Sequence, residues 1–397
     1  MRKKNIEIGP LSGIRIVDLS RYGPGKYCTM LMADFGAEVI NVDVPRVDIS
    51  LPTLLTDDTS VRYLTFNRSK RSMTINLKKK QGIEVFSKLI KTADILVEGF
   101  RPGVARNLRI DYHSLKKINP RLIYCSISGF GQERPYAGRP GHDPNYVGLS
   151  GILSLTGDKN GPPLLLGTQV ADLGGGFSQA TIGILMAIVE RERSGKGQYI
   201  DIGILDGLIF WLWFQGMDYL LTGKVLYRGE TLATGSYAGL NIYQASDGKY
   251  LTLGCYEPWF WERLCRILGR EEFIEHQNDN GEKMGEIISI FKEIFKTKGR
   301  DQWLHLLEKA DIPCGPVNNL SEAFSDPQVI HRKMVSEVSH PTLGKIRQIG
   351  IPIKLSRTPG KIKSPPPRYG EHTEEILKEL KFSLEHIRDL RRKKVIE

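Results

Sequence analysis

A repeated alternation of short β-rich runs and helical patterns constrains the fold of this chain most strongly. Residues 14–19 (IRIVDL) form an apolar run, residues 27–35 have a helical pattern that ends at Gly36, and residues 39–43 (VINVD) form a second apolar run. A strand, a helix and a strand in this order make a βαβ unit, in which the two strands are parallel. The sequence therefore predicts an α/β fold with a parallel sheet.

The same alternation continues through the first half of the chain. Further strand patterns occur at residues 72–77, 95–98, 122–127 and 199–202, with helical patterns at residues 79–92 and 106–117. This predicts a doubly wound, Rossmann-like sheet in a large domain. The dinucleotide fingerprint G-x-G-x-x-G is missing after the first strand, so a nicotinamide cofactor is not favoured.

The pattern changes near Lys224. Residues 243–254 predict a β-hairpin with its turn at Asp247 and Gly248, and helical patterns follow. We expect residues 1–223 to form the first part of the large domain, residues 224–325 to form a smaller α+β domain, and residues 326–397 to return to the large domain. Trp211 and Trp213 lie in a long apolar stretch, so we expect them in the core.

Composition excludes several functional classes. The net charge of +11 suits a polyanion, but no recognition motif supports nucleic acid binding. The five cysteines are scattered and odd in number, which argues against a disulfide framework or a metal site and favours the cytoplasm. Residues 1–8 have no apolar signal-peptide core, and no apolar run reaches the length of a membrane span. We therefore expect no membrane partner.

Two loops carry the candidate chemistry. Residues 141–146 (GHDPNY) contain His142, and residues 169–176 (QVADLGGG) contain Asp172 just before three glycines and a helical pattern. Glycines allow a close backbone approach to a ligand, and a helix start offers free N–H groups. An imidazole and a carboxylate in one cleft would make a site with two bases, although sequence spacing alone does not bring them together.

Several ordered motifs resemble the family III CoA-transferase and α-methylacyl-CoA racemase superfamily (CaiB/BaiF-like). They are residues 10–20 (PLSGIRIVDLS), 27–40 (YCTMLMADFGAEVI), 67–72 (NRSKRS), 100–103 (FRPG), 119–124 (NPRLIY), 128–132 (SGFGQ), 194–198 (SGKGQ) and 370–376 (GEHTEEI). The resemblance implies an interlocked homodimer and an acyl-CoA substrate, with no prosthetic group. By position in the family pattern it also implies coenzyme A contacts from Tyr22, Arg46, Ile75, Lys78, Gly99, Phe100 and Arg101.

The superfamily contains two chemistries with different needs. Racemisation next to a thioester needs a base on one face and an acid on the other, whereas CoA transfer needs one carboxylate nucleophile. His142 and Glu257 resemble the racemase pattern, in which the glutamate orients the histidine. Thr168, four residues before Asp172, and residues 312–318 (IPCGPVN) look more like a transferase. We expect racemisation of a 2-methylacyl-CoA by His142 and Asp172, with transfer through an Asp172 acyl anhydride as the alternative.

Overall fold

The computed structural model describes residues 9–21, 23–46, 57–279 and 281–397. The chain divides into two compact units. The first combines residues 1–147, 168–211 and 327–397, and the second combines residues 148–167 and 212–326. Residues 148–167 thus group with the second unit, which no sequence pattern had indicated. The predicted domain bounds at residues 223 and 325 stay a prediction.

A parallel sheet forms the centre of the first unit, as the βαβ pattern predicted. Its strands pair in the order β3-β2-β1-β4-β5-β6 and all pairings are parallel. This is the doubly wound order of Rossmann-like folds, in which ligands bind beyond the carboxyl ends of the strands. The strands are β1 (Arg15–Asp18), β2 (Glu38–Asp43), β3 (Arg71–Thr74), β4 (Ile95–Glu98), β5 (Ile123–Ser128) and β6 (Tyr199–Gly203).

Helices flank the sheet strands along the chain. Helix α1 (Gly23–Asp34) begins four residues earlier than predicted, because the glycine and proline that suggested a turn form its first turn, where proline is well tolerated. The other helices of this unit are α2 (Val61–Phe66), α3 (Lys80–Ile90), α4 (Val104–Asn107), α5 (Tyr112–Lys116), α6 (Asp143–Leu149), a π-helical segment (Ala171–Ser178), α7 (Gln179–Ser194), α8 (Ile204–Trp211), α9 (Pro327–His331), α10 (Thr373–Glu379) and α11 (Leu384–Arg392).

The single helix predicted for residues 106–117 is wrong. Arg109 has a positive φ of 57°, which ends the first short helix, and the Asp111 side chain accepts a hydrogen bond from the backbone nitrogen of Ser114 to cap the second. An aspartate that caps a new helix interrupts the pattern that suggested one continuous helix.

Residues after 370 complete the β3 edge of the sheet. The backbone nitrogen of His372 donates to the carbonyl of Ser72, and the backbone nitrogen of Asn76 donates to the carbonyl of Val395. Helix α11 begins with Ser383 as its N-cap, as predicted. Its buried side chains join the same core as β3 and α3. A hairpin of β7 (Val335–His340) and β8 (Gly344–Ile349) precedes this segment.

The basic run at residues 68–71 is largely internal. Arg68 pairs with Asp34 at 2.8 Å, and Lys70 Nζ lies 3.0 Å from Asp18 Oδ2, with both members of each pair buried. Arg71 pairs with Glu38 at 2.7 Å. These cations pair with carboxylates of β1, α1 and β2, so the run is not a free phosphate-binding patch.

The second unit is an α+β assembly with its own apolar core. Its strands β9 (Ile242–Gln244) and β10 (Tyr250–Leu253) form the predicted antiparallel hairpin, with Gly248 at a φ of 77° in the turn, and β11 (Cys314–Pro316) adds to it. The helices are α12 (Ile152–Leu155), α13 (Trp213–Thr222), α14 (Pro258–Ile267), α15 (Gly281–Phe295), α16 (Arg300–Lys309) and α17 (Leu320–Ser325), with short 3₁₀ turns at Leu232–Thr234 and Glu271–His276.

The continuous helix Ala171–Ser194 is, among the described residues, the one helix whose length and apolar character would suffice to cross a membrane, although a core helix meets the same criteria. Part of its apolar surface is exposed, with Met186 at 67%. The expectation that Trp211 and Trp213 are core residues is wrong, since they are 46% and 69% exposed. Apolar periodicity does not distinguish a core helix from one that is covered by a partner.

Candidate active site

A cavity of about 530 Å³ lies at the carboxyl ends of the strands in the first unit. Loops that follow β1, β4 and β5 form most of its wall. Its lining comprises Ser20, Arg21, Pro24, Gly25, Gly99, Phe100, Arg101, Pro102, Ile127, Ser128, Gly129, Phe130, Ala137, Arg139, Pro140, Gly141, His142, Asn145, Tyr146, Asp172 and Ile204. The two loops that the sequence singled out therefore meet in one cavity, with His142 and Asp172 both at its surface.

His142 is positioned by the start of helix α6. Its backbone nitrogen donates to Asn145 Oδ1 at 2.9 Å, and its carbonyl accepts the Asn145 backbone nitrogen at 2.9 Å. The Tyr146 hydroxyl donates to the Gly141 carbonyl at 2.7 Å, which fixes the other side of the loop. His142 itself is exposed, so the backbone of the loop is rigid while the imidazole remains accessible to a ligand.

The glycines of this region make room for Tyr146. A Cβ atom on Gly129 would lie 2.4 Å from the Tyr146 ring, and one on Gly141 would lie 2.7 Å from it. The ring also packs edge-on against Phe130 at 5.2 Å. Residues without a Cβ are thus required because two loops approach one aromatic ring.

Asp172 lies at the start of the π-helical segment. The carboxylate of Asp143 accepts hydrogen bonds from the backbone nitrogens of Ala171 at 2.7 Å and Asp172 at 3.0 Å. Burial and the negative charge of Asp143 raise the pKa of Asp172, and His142 partly opposes them, so that the pKa is about 6. The carboxyl group can therefore exchange a proton close to neutral pH.

The first turn of α1 faces Asp172. A Cβ atom on Gly23 would lie 3.5 Å from Asp172 Oδ2, and Pro24 and Gly25 line the cavity beside it. The first N–H groups of a helix have no acceptor within the helix. This end of α1 therefore offers hydrogen-bond donors and a partial positive charge to an oxyanion in the cavity.

The three glycines after Asp172 have a packing role rather than the ligand approach that the sequence suggested. A Cβ atom on Gly174 would lie 2.1 Å from the Trp211 ring, one on Gly175 would lie 2.2 Å from the Ile204 carbonyl, and one on Gly176 would lie 2.8 Å from Pro24. All three glycines are buried. They allow the helix that carries Asp172 to pack closely on α1 and α8.

Glu257 belongs to the second unit, where it is the N-cap residue of α14. Its backbone carbonyl accepts the nitrogens of Phe260 and Trp261, and Pro258 occupies the first helical position. Its side chain makes no capping hydrogen bond, although it occupies the capping position. Its pairing with His142 stays a prediction.

The residues predicted to bind coenzyme A fall into three groups. Gly99, Phe100 and Arg101 line the cavity. Ile75 is buried in the core, Lys78 is exposed on a turn, and Arg46 pairs with Asp58 and Glu397 while lying 4.7 Å from the Tyr369 ring centre, all outside the cavity lining. Tyr22 lies outside the described residues. Their assignment to coenzyme A stays a prediction.

The sequence did not single out Asp143, which supports Asp172 from outside the cavity lining, or two cations of the cavity. Asp143 adjoins His142 in the GHD motif. It caps the helix that starts at Ala171, and the sequence does not show that this helix start lies beside it. Arg21 and Arg139 add two cations to Arg101, and each lies over an aromatic ring, at 5.9 Å from Phe100 and 3.9 Å from Tyr136 respectively. Asp172 is the one carboxylate among the described lining residues, so the cavity suits an anion.

Comparison with known proteins agrees with this chemistry. The family model "CoA-transferase family III" matches residues 11–373. The human succinyl-CoA:glutarate CoA-transferase is 33% identical over 381 residues, which cover 94% of this chain and 86% of the relative. The human α-methylacyl-CoA racemase is also 33% identical, over 392 residues that cover 98% of this chain and 97% of the relative.

Solved structures give the same relationship. A crystal structure of a CAIB/BAIF family protein from Brucella suis is 32% identical, with a TM-score of 0.81, and the match covers 94% of this chain and 99% of that one. The matched family model and these relatives span nearly the whole chain, including both loops of the cavity. The chain belongs to CoA-transferase family III, whose relatives include both CoA-transferases and racemases.

Proposed function

We propose that the protein racemises or epimerises a 2-methylacyl-CoA thioester by moving its α-proton. The observation that carries this proposal is the pair His142 and Asp172 in one cavity, close enough for His142 to lower the pKa of Asp172. An acid and a base at one site are what inversion at an α-carbon requires. The pKa of about 6 for Asp172 suits both roles near neutral pH.

The proposed reaction is a two-step proton exchange. One side chain removes the α-proton, and the electron pair of the broken C–H bond moves into the enolate of the thioester. The other side chain then donates a proton to the opposite face, which restores the C–H bond with inverted configuration. The enantiomer determines which of His142 and Asp172 acts as base. The start of α1, whose Pro24 and Gly25 line the cavity, supports stabilisation of the enolate oxygen.

Coenzyme A is the part of the substrate that the cations of the cavity suit. Its phosphates are polyanionic, and Arg21, Arg101 and Arg139 supply guanidinium groups that form no ion pair with other described residues. Gly99 and Phe100 of the Arg101 loop also line the cavity. In this proposal Glu257 orients the His142 imidazole, as the family pattern implies.

A CoA transfer between an acyl-CoA and a carboxylic acid is the second candidate. The relatives favour it, because they include the human succinyl-CoA:glutarate CoA-transferase and a succinate–glutarate CoA-transferase from Agrobacterium fabrum, the latter 34% identical. In this reaction the Asp172 carboxylate would attack the thioester carbonyl and expel CoA as thiolate, which gives a mixed anhydride. The CoA thiolate would then attack the Asp172 carbonyl of the anhydride, which releases the donor acid and leaves an Asp172–CoA thioester. The acceptor carboxylate would attack this thioester to form a second anhydride and free the thiolate. The thiolate would finally attack the acceptor carbonyl, which gives the new acyl-CoA and restores Asp172, and His142 would have no essential role.

One incubation distinguishes the two reactions. The protein is incubated with an (R)- or (S)-2-methylacyl-CoA in deuterated buffer, with and without glutarate or succinate, and the products are analysed by mass spectrometry. Racemisation predicts one deuterium at the α-carbon without any acceptor acid. Transfer predicts a new acyl-CoA only with the acid, and an acyl-Asp172 that hydroxylamine traps. Formation of the transfer products without any deuterium at the α-carbon would overturn the racemase proposal.

Single-base variants sharpen this test. Both His142→Ala and Asp172→Asn should stop inversion, because each reaction direction needs both groups. Each variant should still exchange the α-proton of one enantiomer, since the remaining base can remove and return a proton on its own face. The two variants should retain exchange for opposite enantiomers. Loss of transfer in Asp172→Asn with near-normal transfer in His142→Ala would instead support the transferase.

We also propose that the protein is a homodimer in the cytoplasm. Exposed apolar side chains support the dimer, namely Met186 and Phe210 in the first unit and Trp213 and Leu221 in the second. The five unpaired cysteines support a reducing compartment. Light scattering at micromolar concentration tests the dimer, and a monomer mass would overturn it. Cell fractionation tests the location.

A further inference from the structure

A row of polar side chains crosses the sheet beneath the cavity. Glu98 in β4 is the register partner of Ser126 in β5, and Ser126 is the partner of Asp201 in β6. Register partners in parallel strands project from the same face of a sheet. We call Glu98, Ser126 and Asp201 the acidic row. Glu98 and Ser126 are buried, and Asp201 is half-buried.

Each carboxylate of the acidic row fixes one loop of the cavity. Glu98 Oε2 accepts the backbone nitrogen of Phe100 at 2.7 Å, and Asp201 Oδ2 accepts the backbone nitrogen of Gln132 at 3.0 Å. The side-chain amide of Gln132 donates to Ser126 Oγ at 2.9 Å, which links the two halves of the row. Residues 99–102 and 128–130 of these loops line the cavity. The row therefore determines where two walls of the cavity lie.

Strand β1, the neighbour of β4, also ends in a carboxylate that accepts a backbone nitrogen two residues later, but the charges around this carboxylate differ. Asp18 at the end of β1 accepts the backbone nitrogen of Ser20 at 2.9 Å, and Lys70 Nζ lies 3.0 Å from its other oxygen. Burial raises the pKa of Asp18, but Lys70 and Lys26 outweigh it and hold the value at about 2. Asp18 is thus permanently charged, and Ser20 is held at the cavity wall at every physiological pH.

Glu98 has no such cation among the described residues. The titratable groups that face it are acids: Asp201 and Tyr199 from β6, and Tyr124 and Cys125 from β5. Burial is the main cause that raises the pKa of Glu98, the Ser126 hydroxyl and the Phe100 nitrogen oppose it, and Asp201 adds to it, so that the pKa is about 7. The carboxyl group that holds the Phe100 loop can therefore change its charge near neutral pH.

We propose that Glu98 is a positioning residue for coenzyme A binding. As a carboxylate, Glu98 holds the loop of residues 99–102 firmly, and as a neutral acid it holds this loop loosely. A hydrogen bond to a carboxylate is stronger than one to a neutral carboxyl oxygen. Protonation of Glu98 weakens the bond to Phe100, and Arg101 of the same loop then contacts the ligand less well. The inference rests on the proposed coenzyme A site, but neither on racemisation nor on CoA transfer.

The test compares coenzyme A binding by wild type and Glu98→Gln, using calorimetry between about pH 6 and pH 8. Glutamine keeps an oxygen acceptor for Phe100 but cannot ionise. Near pH 8, wild type should bind coenzyme A roughly three- to tenfold more tightly than Glu98→Gln does. Near pH 6, the two proteins should bind it with the same affinity. Titration of the coenzyme A phosphate is common to both proteins and cancels in the comparison.

Two further variants keep the test decisive. Ser126→Ala removes a hydroxyl that lowers the pKa of Glu98, so the pH midpoint of the binding curve should move upward. Glu84→Gln, an exposed change of the same kind on α3, should reproduce the wild-type curve. Identical pH dependence in wild type, Glu98→Gln and Ser126→Ala would overturn the positioning role alone. Absence of coenzyme A binding by wild type at every pH would overturn the site and this inference together.

Discussion

Asp143 Oδ1 accepts the backbone nitrogen of Asp172 at 3.0 Å, so one carboxylate holds the helix start that carries the other. The same oxygen accepts the nitrogen of Ala171 at 2.7 Å. Asp143 thus has two separable effects. Its hydrogen bonds position Asp172, and its negative charge raises the pKa of Asp172.

Substitution of Asp143 separates these effects. Asp143→Asn keeps an oxygen acceptor but removes the charge, so the pKa of Asp172 should fall and the acidic limb of the pH–rate profile should move to lower pH. Asp143→Ala also loses both hydrogen bonds, which act as a helix cap and contribute about 1 kcal/mol or more to the position of Asp172. We expect a loss of this size to reduce kcat roughly tenfold. The measurement is α-deuterium exchange or acyl transfer against pH. An unmoved acidic limb in Asp143→Asn would exclude the electrostatic effect.

Asp172→Asn should stabilise the protein while inactivating it. The pKa of Asp172 in the folded protein, about 6, exceeds its ordinary value of 3.8. The folded state therefore binds the proton more tightly, and stability attributable to this group is lost as pH rises from about 4 to about 6. Above this range the asparagine variant should be more stable by about 1 kcal/mol, a value discounted for partial solvent exposure.

Thermal unfolding at two pH values checks this prediction. The melting temperature of Asp172→Asn should exceed that of wild type by a few degrees near pH 7.5, and the two should agree near pH 4. At each pH where wild type is active, the activity of Asp172→Asn should be roughly 10²–10⁴-fold lower. Asp158→Asn, an exposed change in the second unit, provides the matched control. A lower melting temperature for Asp172→Asn near pH 7.5 would mean that burial does not penalise this carboxylate.

Arg101→Ala should weaken coenzyme A binding. Its guanidinium lines the cavity, and loss of a charge-assisted hydrogen bond of about 1.5 kcal/mol corresponds to roughly a tenfold rise in Kd. The remaining affinity should depend less on salt, because one phosphate contact fewer is screened. Calorimetry at two salt concentrations measures both effects.

Two companion variants calibrate the Arg101 result. Lys78→Ala tests the family-based assignment of an exposed side chain outside the cavity lining, and Arg62→Ala controls for the loss of an exposed positive charge. If Arg101→Ala and Lys78→Ala both bind like Arg62→Ala, neither residue contacts coenzyme A. An effect of Lys78→Ala alone would move the phosphate site away from this cavity.

Gly175→Ala should destabilise the fold. The added Cβ would lie 2.2 Å from the Ile204 carbonyl, so the helix that carries Asp172 must move, at a cost of about 1–3 kcal/mol. Gly285→Ala is the matched control, because it lies within helix α15 with open space around it, and should stabilise by about 0.5–1 kcal/mol. Chemical unfolding measures both. Equal stability of wild type and Gly175→Ala would show that the two helices are not closely packed there.

The parallel sheet of the first unit and the hairpin of the second could be predicted from the sequence because their patterns are local. The parallel strands, the hairpin turn at Gly248 and the cap at Ser383 all followed from short-range signals. The site was only partly predictable. His142 and Asp172 were singled out as candidates, but their meeting in one cavity depends on packing between α1, α6 and the π-helical segment, which leaves no periodic signal.

Other features could not be predicted because they depend on long-range partners. The acidic row joins residues from three strands, and nothing near Glu98 in the sequence indicates that its neighbours across the sheet are Ser126 and Asp201. The partners of Arg68 and Lys70, which are Asp34 and Asp18, lie more than thirty residues away in the sequence, so no local pattern shows that these cations are internal. The exposure of Trp213 similarly depends on what covers the helix, not on its apolar pattern.

The ion pair of Lys70 and Asp18 also limits how this sequence can evolve. Both side chains are completely buried, so a neutral residue at either position alone leaves a buried charge without its direct partner, at a cost of about 3–5 kcal/mol. A lineage can therefore change one position only if the other changes at nearly the same time. Asp18 also holds Ser20 at the cavity wall. Substitutions of Lys70, which lies outside the cavity lining, are therefore restricted by the geometry of the site.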